Sequence, residues 1–333
     1  MKIITVEEHY MSSEVNKAYV NAKMKSASPK EKMRLNRLEN FIASNDAIRD
    51  VGDMRIAFME KSGIDMQIVD YGNNDPMDLP AQEANPLCIQ ANDELAEHIK
   101  QNPIRFAGLA SLPVDEAALA SKELERSVNK LGFKGAMLPG TYNGEFFDDP
   151  RFYEVFETAA SLDVPIYMHP GFVSETVTDY YYSSDQMKPQ ASYLLGSYGL
   201  GWHFDSGVHV LRLILSGLFD KLPNLKIVMG HWGEMLPYYF ERMDDMIPQN
   251  ATELKQNISD YFKSNIYVSP SGLFFNTPAK LCIEAVGIDH MLWATDYPYV
   301  TEENTKDFLQ NLDISEEDKM KISHQNAEKL FKL

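Results

Sequence analysis

Cysteine is scarce in this 333-residue chain, which contains only Cys88 and Cys282. Both lie in apolar, helix-like contexts, so we interpret them as buried free thiols in a reducing compartment and not as a disulfide. The chain also lacks an apolar run approaching the ~20 residues that a membrane-spanning helix needs. Its first residues run into Glu7 and Glu8 without the apolar stretch of a signal peptide. We therefore expect a cytoplasmic protein without a membrane partner.

Basic residues are also few, with 31 Lys and Arg against 49 Asp and Glu and a formal net charge of −18. This balance argues against a nucleic-acid partner, whose phosphates require Lys and Arg. It provides no long-range attraction for a small anion either. An anionic substrate would therefore have to be held by local cations or by a metal ion.

Repeats, low-complexity tracts and linker-like segments are absent, so we expect one domain spanning residues 1–333. Apolar strand-like runs alternate with helical patterns along most of the chain. The strand-like runs fall at residues 2–6, 65–70, 106–111, 135–138, 165–168, 226–229, 265–268 and 290–293. Eight such strands predict an α/β fold of the (β/α)8 TIM-barrel type, with an insertion over residues 172–204 after the fifth strand. An open doubly wound sheet would instead carry an early Gly-x-Gly-x-x-Gly turn, and none is present.

His231 stands where the sixth predicted strand ends and a loop begins. Glu234 follows three residues later, close enough to bond a ring nitrogen if the backbone turns back. Taken alone, the pair could equally cap the helix that we predict from residue 236. We also expect Arg242, eight residues beyond Glu234 and two helical turns away, to lie on the same helix face. It could reach a substrate carboxylate or pair with a neighbouring acid.

Acidic and imidazole side chains recur at the carboxyl ends of four predicted strands. In a TIM barrel these ends form the active site. The residues are Glu7, His9, His169, His231 and Asp296. Each also has a structural explanation when taken alone, such as a solvated acid, a packed histidine or an Asp in a turn. Their joint position favours a metal site, and mixed nitrogen and oxygen ligands suit Zn²⁺ or Mn²⁺.

Several other polar residues have weaker claims. His209 lies among apolar neighbours in a predicted helix and is better explained as a core residue than as a ligand, and His203 has no assigned role. The consecutive Tyr180, Tyr181 and Tyr182 are compatible with a pocket wall, an exposed lid or a subunit contact.

Four motifs stand at the predicted strand ends: Glu7-x-His9, His169-Pro170-Gly171, the Gly-His-Trp-Gly-Glu run from Gly230 to Glu234, and Thr295-Asp296-Tyr297-Pro298. Together they resemble the amidohydrolase superfamily, in the branch of metal-dependent decarboxylases that includes the γ-resorcylate (2,6-dihydroxybenzoate) decarboxylases. The resemblance implies a single metal ion held by Glu7, His9, His169 and Asp296, because the fourth strand ends in Met-Leu-Pro without the bridging lysine of two-metal relatives.

The resemblance also implies functions for the residues around the metal. It implies a carboxy-lyase acting on a phenolic or related unsaturated carboxylic acid, with Asp296, His231 and Glu234 as catalytic residues. Arg242 would face the substrate, and the protein would form a homodimer or homotetramer. Asp296 is the first candidate for the proton donor, and His231 the second.

Two other functions remain open from the sequence. The same metal could activate water to hydrolyse a lactone or an amide, with Asp296 as the base. The chain could also be a metal-binding scaffold without catalysis. Release of CO₂ from hydroxybenzoates, against ring opening of lactones, separates these possibilities.

Overall fold

The computed structural model describes residues 1–333 and contains two parallel sheets. Their orders are β1-β2-β3 and β4-β5-β6-β7. The strands are β1 Ile4–Tyr10, β2 Met66–Tyr71, β3 Phe106–Gly108, β4 Ala136–Pro139, β5 Ile166–His169, β6 Ile227–Met229 and β7 Ile266–Val268. Helices connect successive strands, which is the only short route between parallel neighbours. The prediction of a TIM barrel is therefore confirmed.

The ring closes through isolated bridges and not through a regular eighth strand. Between β3 and β4, Ala110 pairs with Ala136. On the other side, the segment 291–297 lies between β7 and β1. Leu292 N donates to Val268 O at 2.8 Å, and Val6 N donates to Trp293 O at 3.0 Å. The predicted strand at residues 290–293 is thus an extended segment with too few ladder bonds for a strand, but it occupies the eighth position.

The barrel interior is filled by alternate strand residues. A cluster of 14 buried apolar residues includes Val6, Met137, Tyr167 and Val228, one from each of four strands. Leu330 and Phe331 near the C-terminus join this cluster and cover the amino-terminal end of the barrel. The opposite end, where the strands finish, is left for polar side chains.

Seventeen helices surround the barrel. They are α1 Ser13–Lys23, α2 Pro29–Ser44, α3 Asp53–Ser62, α4 Ala81–Gln101, α5 Ala117–Arg126, α6 Tyr153–Leu162, α7 Glu175–Tyr181, α8 Pro189–Gly196, α9 Gly201–Leu215, α10 Leu218–Lys221, α11 Phe240–Met246, α12 Gln249–Thr252, α13 Ile258–Ser264, α14 Asn276–Val286, α15 Thr305–Gln310, α16 Glu316–Met320 and α17 Asn326–Phe331. The predicted insertion after β5 contains α7 and α8. None of the helices is long and apolar enough to cross a bilayer, and both cysteines are buried and unpaired.

The loop that was predicted to begin at His231 covers residues 231–235. It forms one turn in which His231, Trp232, Gly233, Glu234 and Met235 all have positive φ, between 49° and 75°. Left-handed turns are costly for residues with a Cβ, at roughly 1–2 kcal/mol each, and such strain is concentrated at functional sites. A short 3-10 turn over Leu236–Tyr239 separates this turn from α11.

Candidate active site

Four predicted ligands meet at the carboxyl-terminal mouth of the barrel. Glu7 and His9 project from β1, His169 is the last residue of β5, and Asp296 lies in the segment 291–297 at the eighth position. One ligand atom from each lies within 4.8 Å of all the others. His9 Nε2 is 3.1 Å from Asp296 Oδ1, and His169 Nε2 is 3.2 Å from Glu7 Oε1. The barrel ring therefore brings together residues separated by up to 289 positions in the sequence.

Neighbouring groups orient both imidazoles toward the centre of this cluster. The register of β1 and β2 pairs His9 with Asp70, and His9 Nδ1 lies 2.6 Å from Asp70 Oδ1. His169 Nδ1 lies 2.7 Å from the Pro170 carbonyl. Each ring thus donates from Nδ1 and leaves Nε2 as the inward-facing atom, an arrangement that recurs in metal-binding histidines.

The cluster fits a divalent cation because its inward atoms have no other partner. Glu7 Oε1, His9 Nε2 and Asp296 Oδ1 are buried without a hydrogen bond. Buried polar atoms in proteins are normally bonded, and two carboxylates in such proximity repel each other. Two nitrogen and two oxygen donors match Zn²⁺ or Mn²⁺ and not an all-oxygen Ca²⁺ site.

Glu7 is held in place by its second oxygen. Oε2 accepts hydrogen bonds from the hydroxyls of Tyr167 and Ser271. Burial alone would raise the pKa of Glu7, but the surrounding imidazoles of His169 and His231 outweigh it, so the pKa is lowered and the carboxylate is ionised. Gly230 allows this packing, since a Cβ there would lie 2.8 Å from Glu7 Oε2.

His231 and Glu234 form a buried pair beside the cluster. His231 Nδ1 is 2.8 Å from Glu234 Oε1, and His231 Nε2 is 4.0 Å from Glu7 Oε1. Burial lowers the pKa of His231, but the Glu234 carboxylate raises it more, to about 9. The left-handed turn brings the side chains of His231 and Glu234 toward each other, so the predicted contact between these residues is present. The pair can hold a proton at the edge of the four-ligand cluster, which consists of Glu7, His9, His169 and Asp296.

A cavity of about 720 Å³ opens over these groups. His169, His231 and Asp296 form its polar floor, and its walls are largely aromatic, with Phe41, Phe172, Tyr193, Tyr198, Trp202 and Tyr299. A larger, polar cavity of about 930 Å³ lies outside it, between α2 and the insertion, and contains none of the candidate ligands. The aromatic walls and the few polar groups on the floor are typical of a site for a small organic molecule.

Sequence comparisons agree with this geometry. The sequence profile described as amidohydrolase matches residues 44–333. The chain belongs to the amidohydrolase family. The decarboxylase orsB of Emericella nidulans is 31% identical over 339 residues, which cover 99% of this chain and 97% of the relative. A γ-resorcylate decarboxylase of Polaromonas sp. is 36% identical over 303 residues, which cover 85% of this chain and 88% of the relative.

A solved structure gives the same relationship. The dihydroxybenzoic acid decarboxylase from Polaromonas sp., solved with manganese and the inhibitor 2-nitroresorcinol, superposes with a TM-score of 0.84 at 32% identity. The match covers 100% of this amidohydrolase chain and 97% of that structure. The manganese and the inhibitor are bound to the Polaromonas protein.

Arg242 does not line the cavity of this amidohydrolase. It lies on α11 with an exposed side chain, and it forms no ion pair with a neighbouring acid. The prediction assumed an unbroken helix from Glu234 to Arg242. The left-handed turn and the 3-10 turn interrupt that helix, so the two residues do not share a face.

Arg37 was not predicted and is the only Lys or Arg that lines the inner cavity. It belongs to α2, and its guanidinium lies 4.1 Å from the centre of the Tyr193 ring. It makes no ion pair within the chain. No sequence signal distinguishes Arg37 from the other basic residues of α2, because its position depends on how that helix folds back over the barrel mouth.

His203 was also missed as a site residue. It lies on α9, lines the cavity, and bonds the second oxygen of Glu234. By contrast, His209 is buried on the same helix and accepts a hydrogen bond from Phe147 N at Nε2, in agreement with its interpretation as a core residue. Tyr180 and Tyr181 are exposed on α7 and line neither cavity.

Proposed function

We propose that this protein is a metal-dependent decarboxylase that removes CO₂ from a hydroxylated aromatic acid without an oxidant. The observation that carries the proposal is the set of unpartnered donor atoms at the floor of an aromatic-walled cavity, with His231 beside them. The decarboxylases among its relatives support the same chemistry. A screen of hydroxybenzoates for CO₂ release, with lactone opening as the parallel assay, tests it. Lactone opening without CO₂ release would indicate a hydrolase instead.

One divalent ion would be held by Glu7, His9, His169 and Asp296. Manganese in the Polaromonas structure supports Mn²⁺, and the ligand set also suits Zn²⁺. When bound, the ion would act as a Lewis acid that orients a carboxylate and an adjacent hydroxyl. The aromatic walls of the cavity would hold the ring against the ion.

The protein's own residues would then move one proton. The carboxylated ring carbon gains a C–H bond, the bond to the carboxylate breaks, its electron pair returns to the ring, and CO₂ leaves. We assign delivery of the proton to Asp296, whose Oδ1 faces the cluster and whose Oδ2 is left to carry the proton. His231, oriented by Glu234, returns a proton for the next turnover.

Substitution of His231 tests its part in this transfer. Asparagine is a better replacement than alanine because it tolerates the left-handed φ of 49°. It also retains a donor toward Glu234 while removing Nε2. We expect His231→Asn to lower kcat by roughly 10²-fold, with the metal content unchanged. Steady-state kinetics together with metal analysis measure this, and a kcat close to that of the wild type would exclude His231 from proton transfer.

Arg37 takes the role that Arg242 was predicted to have, the attraction and orientation of an anionic substrate in an acidic protein. We expect Arg37→Gln to raise KM about tenfold, or about 1.4 kcal/mol, with little change in kcat. Arg242→Gln is the matched control and should behave like the wild type. Initial rates at two salt concentrations measure both. Equal effects of the two substitutions would contradict the assignment to Arg37.

A homodimer or homotetramer is part of the proposal. Phe204, Val208 and Leu215 are 45%, 46% and 38% exposed on α9, and their spacing puts them on one helix face. Such a face is typical of a surface that another subunit covers. Sedimentation velocity should give a mass of two or four chains, and Val208→Glu should shift it toward one. A monomeric wild type would contradict this part of the proposal.

A further inference from the structure

The buried carboxylate of Glu234 is shared between two imidazoles. Oε1 is 2.8 Å from His231 Nδ1, and Oε2 is 2.7 Å from His203 Nδ1. The Glu234 side chain has no exposed surface. Each oxygen therefore has one imidazole donor in place of water, and His203 supplies as many of these bonds as His231 does.

His203 is itself firmly held. Its Nε2 is 3.1 Å from the Tyr198 carbonyl, and its ring centre is 4.6 Å from that of His231. Its backbone belongs to the first turn of α9, a helix of 15 residues. Both ring nitrogens of His203 face oxygen atoms outside the four-ligand cluster, those of Glu234 and of the Tyr198 carbonyl. His203 therefore has no nitrogen free to bind a metal or to transfer a proton to the reacting carbon.

Loss of the His203 bond would leave one oxygen of a buried carboxylate without a donor. A charged oxygen in that state is strongly disfavoured, so the carboxylate would rotate or take up a proton to regain a partner. Either change weakens the bond from Oε1 to His231. That bond is the only hydrogen bond of the His231 ring, so the direction of Nε2 toward Glu7 depends on it.

We propose that His203 is a positioning residue that fixes the Glu234 carboxylate. Glu234 in turn holds His231 so that Nε2 points toward the four-ligand cluster. The proposal rests on the proposed function for its kinetic consequence but not for its structural one. It adds a third member to the pair predicted from the sequence. It also gives α9 a part in the site, through a contact between residues 31 positions apart.

Two substitutions separate the hydrogen bond from the shape of the ring. His203→Phe keeps a planar ring without donors, whereas His203→Asn keeps an N–H close to the position of Nδ1. For the metal-loaded full chain, we expect His203→Phe to lower kcat 10- to 100-fold, the usual effect of losing a group that orients a site residue. KM and metal content should stay within about twofold, and His203→Asn should recover most of kcat.

A histidine-selective ¹⁵N NMR spectrum tests the same contact without turnover. In the wild type we expect Nδ1–H signals of His203 and His231 in the range of imidazoles bonded to a carboxylate. In His203→Phe the first should vanish and the second should shift, whereas His203→Asn should keep the His231 signal in place. If the wild type releases no CO₂ from any substrate, the proposed function fails, but these spectra still show whether His203 positions Glu234 and His231. Failure of the proposed function is therefore distinguishable from failure of the positioning role.

Three results would overturn the proposal. The first is a kcat of His203→Phe within twofold of the wild type. The second is an asparagine variant as slow as the phenylalanine variant, which would mean that the donor toward Glu234 is not what matters. The third is a His231 signal that does not respond to loss of His203.

Discussion

Asp296→Asn is expected to lower kcat by roughly 10³-fold, within the range for loss of a group that transfers a proton in the rate-determining step. The Asp296 carboxyl is assigned two functions, since Oδ1 faces the four-ligand cluster and Oδ2 carries the proton to the ring carbon. An amide can still offer an oxygen to a cation, but it cannot deliver that proton. The loss should therefore appear in kcat even when the metal site is filled.

Asparagine is the replacement that isolates this effect. Asp296 has a φ of 61°, and Asn is among the residues that tolerate this region best. Alanine would add backbone strain to the chemical change. The amide also has nearly the same volume, so the packing around Tyr297 and the hydrogen bond from Asp296 N to Glu7 O should persist.

The measurement is single-turnover CO₂ release at saturating Mn²⁺, with metal content determined on the same sample. Asp313→Asn, an exposed acid remote from the cavity, is the matched control and should match the wild type. Near-normal turnover by a metal-loaded Asp296→Asn protein would assign proton delivery elsewhere, with His231 the next candidate.

Removal of the metal should abolish decarboxylation and also destabilise the fold. Without a cation, Glu7 and Asp296 face each other across a buried site in which three donor atoms have no partner. A ligand that binds only the folded state stabilises it by about 2.7 kcal/mol at 100 times its Kd. Chelation followed by desalting should therefore lower the thermal midpoint by several degrees, and Mn²⁺ should restore both activity and midpoint.

The Glu7→Gln variant provides the control for this experiment. It keeps the side-chain shape and removes one ligand charge, so its thermal midpoint should respond much less to added Mn²⁺. Differential scanning fluorimetry across a metal titration makes the comparison without substrate. If verified removal of metal left activity and midpoint unchanged, the Glu7, His9, His169 and Asp296 cluster would not be a metal site.

Much of this architecture was accessible from the sequence because it depends on short-range patterns. Apolar runs separated by helical periodicity indicate parallel strands, and eight of them indicate a barrel. In a barrel all strand ends face one mouth, so Glu7, His9, His169 and Asp296 could be grouped without knowing any distance. The strand ends also placed His231 in this group, and the resemblance to amidohydrolases implied that His231 is a catalytic residue and the other four are the metal ligands.

The tertiary structure decided the features that depend on packing or on unusual backbone. Nothing in the residues from His231 to Met235 predicts a run of positive φ. Helical spacing was therefore counted from Glu234, and Arg242 was placed on the same face as Glu234. Arg37 reaches the cavity only because α2 folds back over the barrel mouth.

His231 and Glu234 could be paired by their spacing in the sequence. The second partner of that carboxylate could not, because His203 lies on α9, 31 residues before Glu234 in the sequence. Local spacing therefore determined which groups could carry the chemistry. Long-range packing determined which of them hold each other in position, since contacts between distant elements leave no periodic signal in a single sequence.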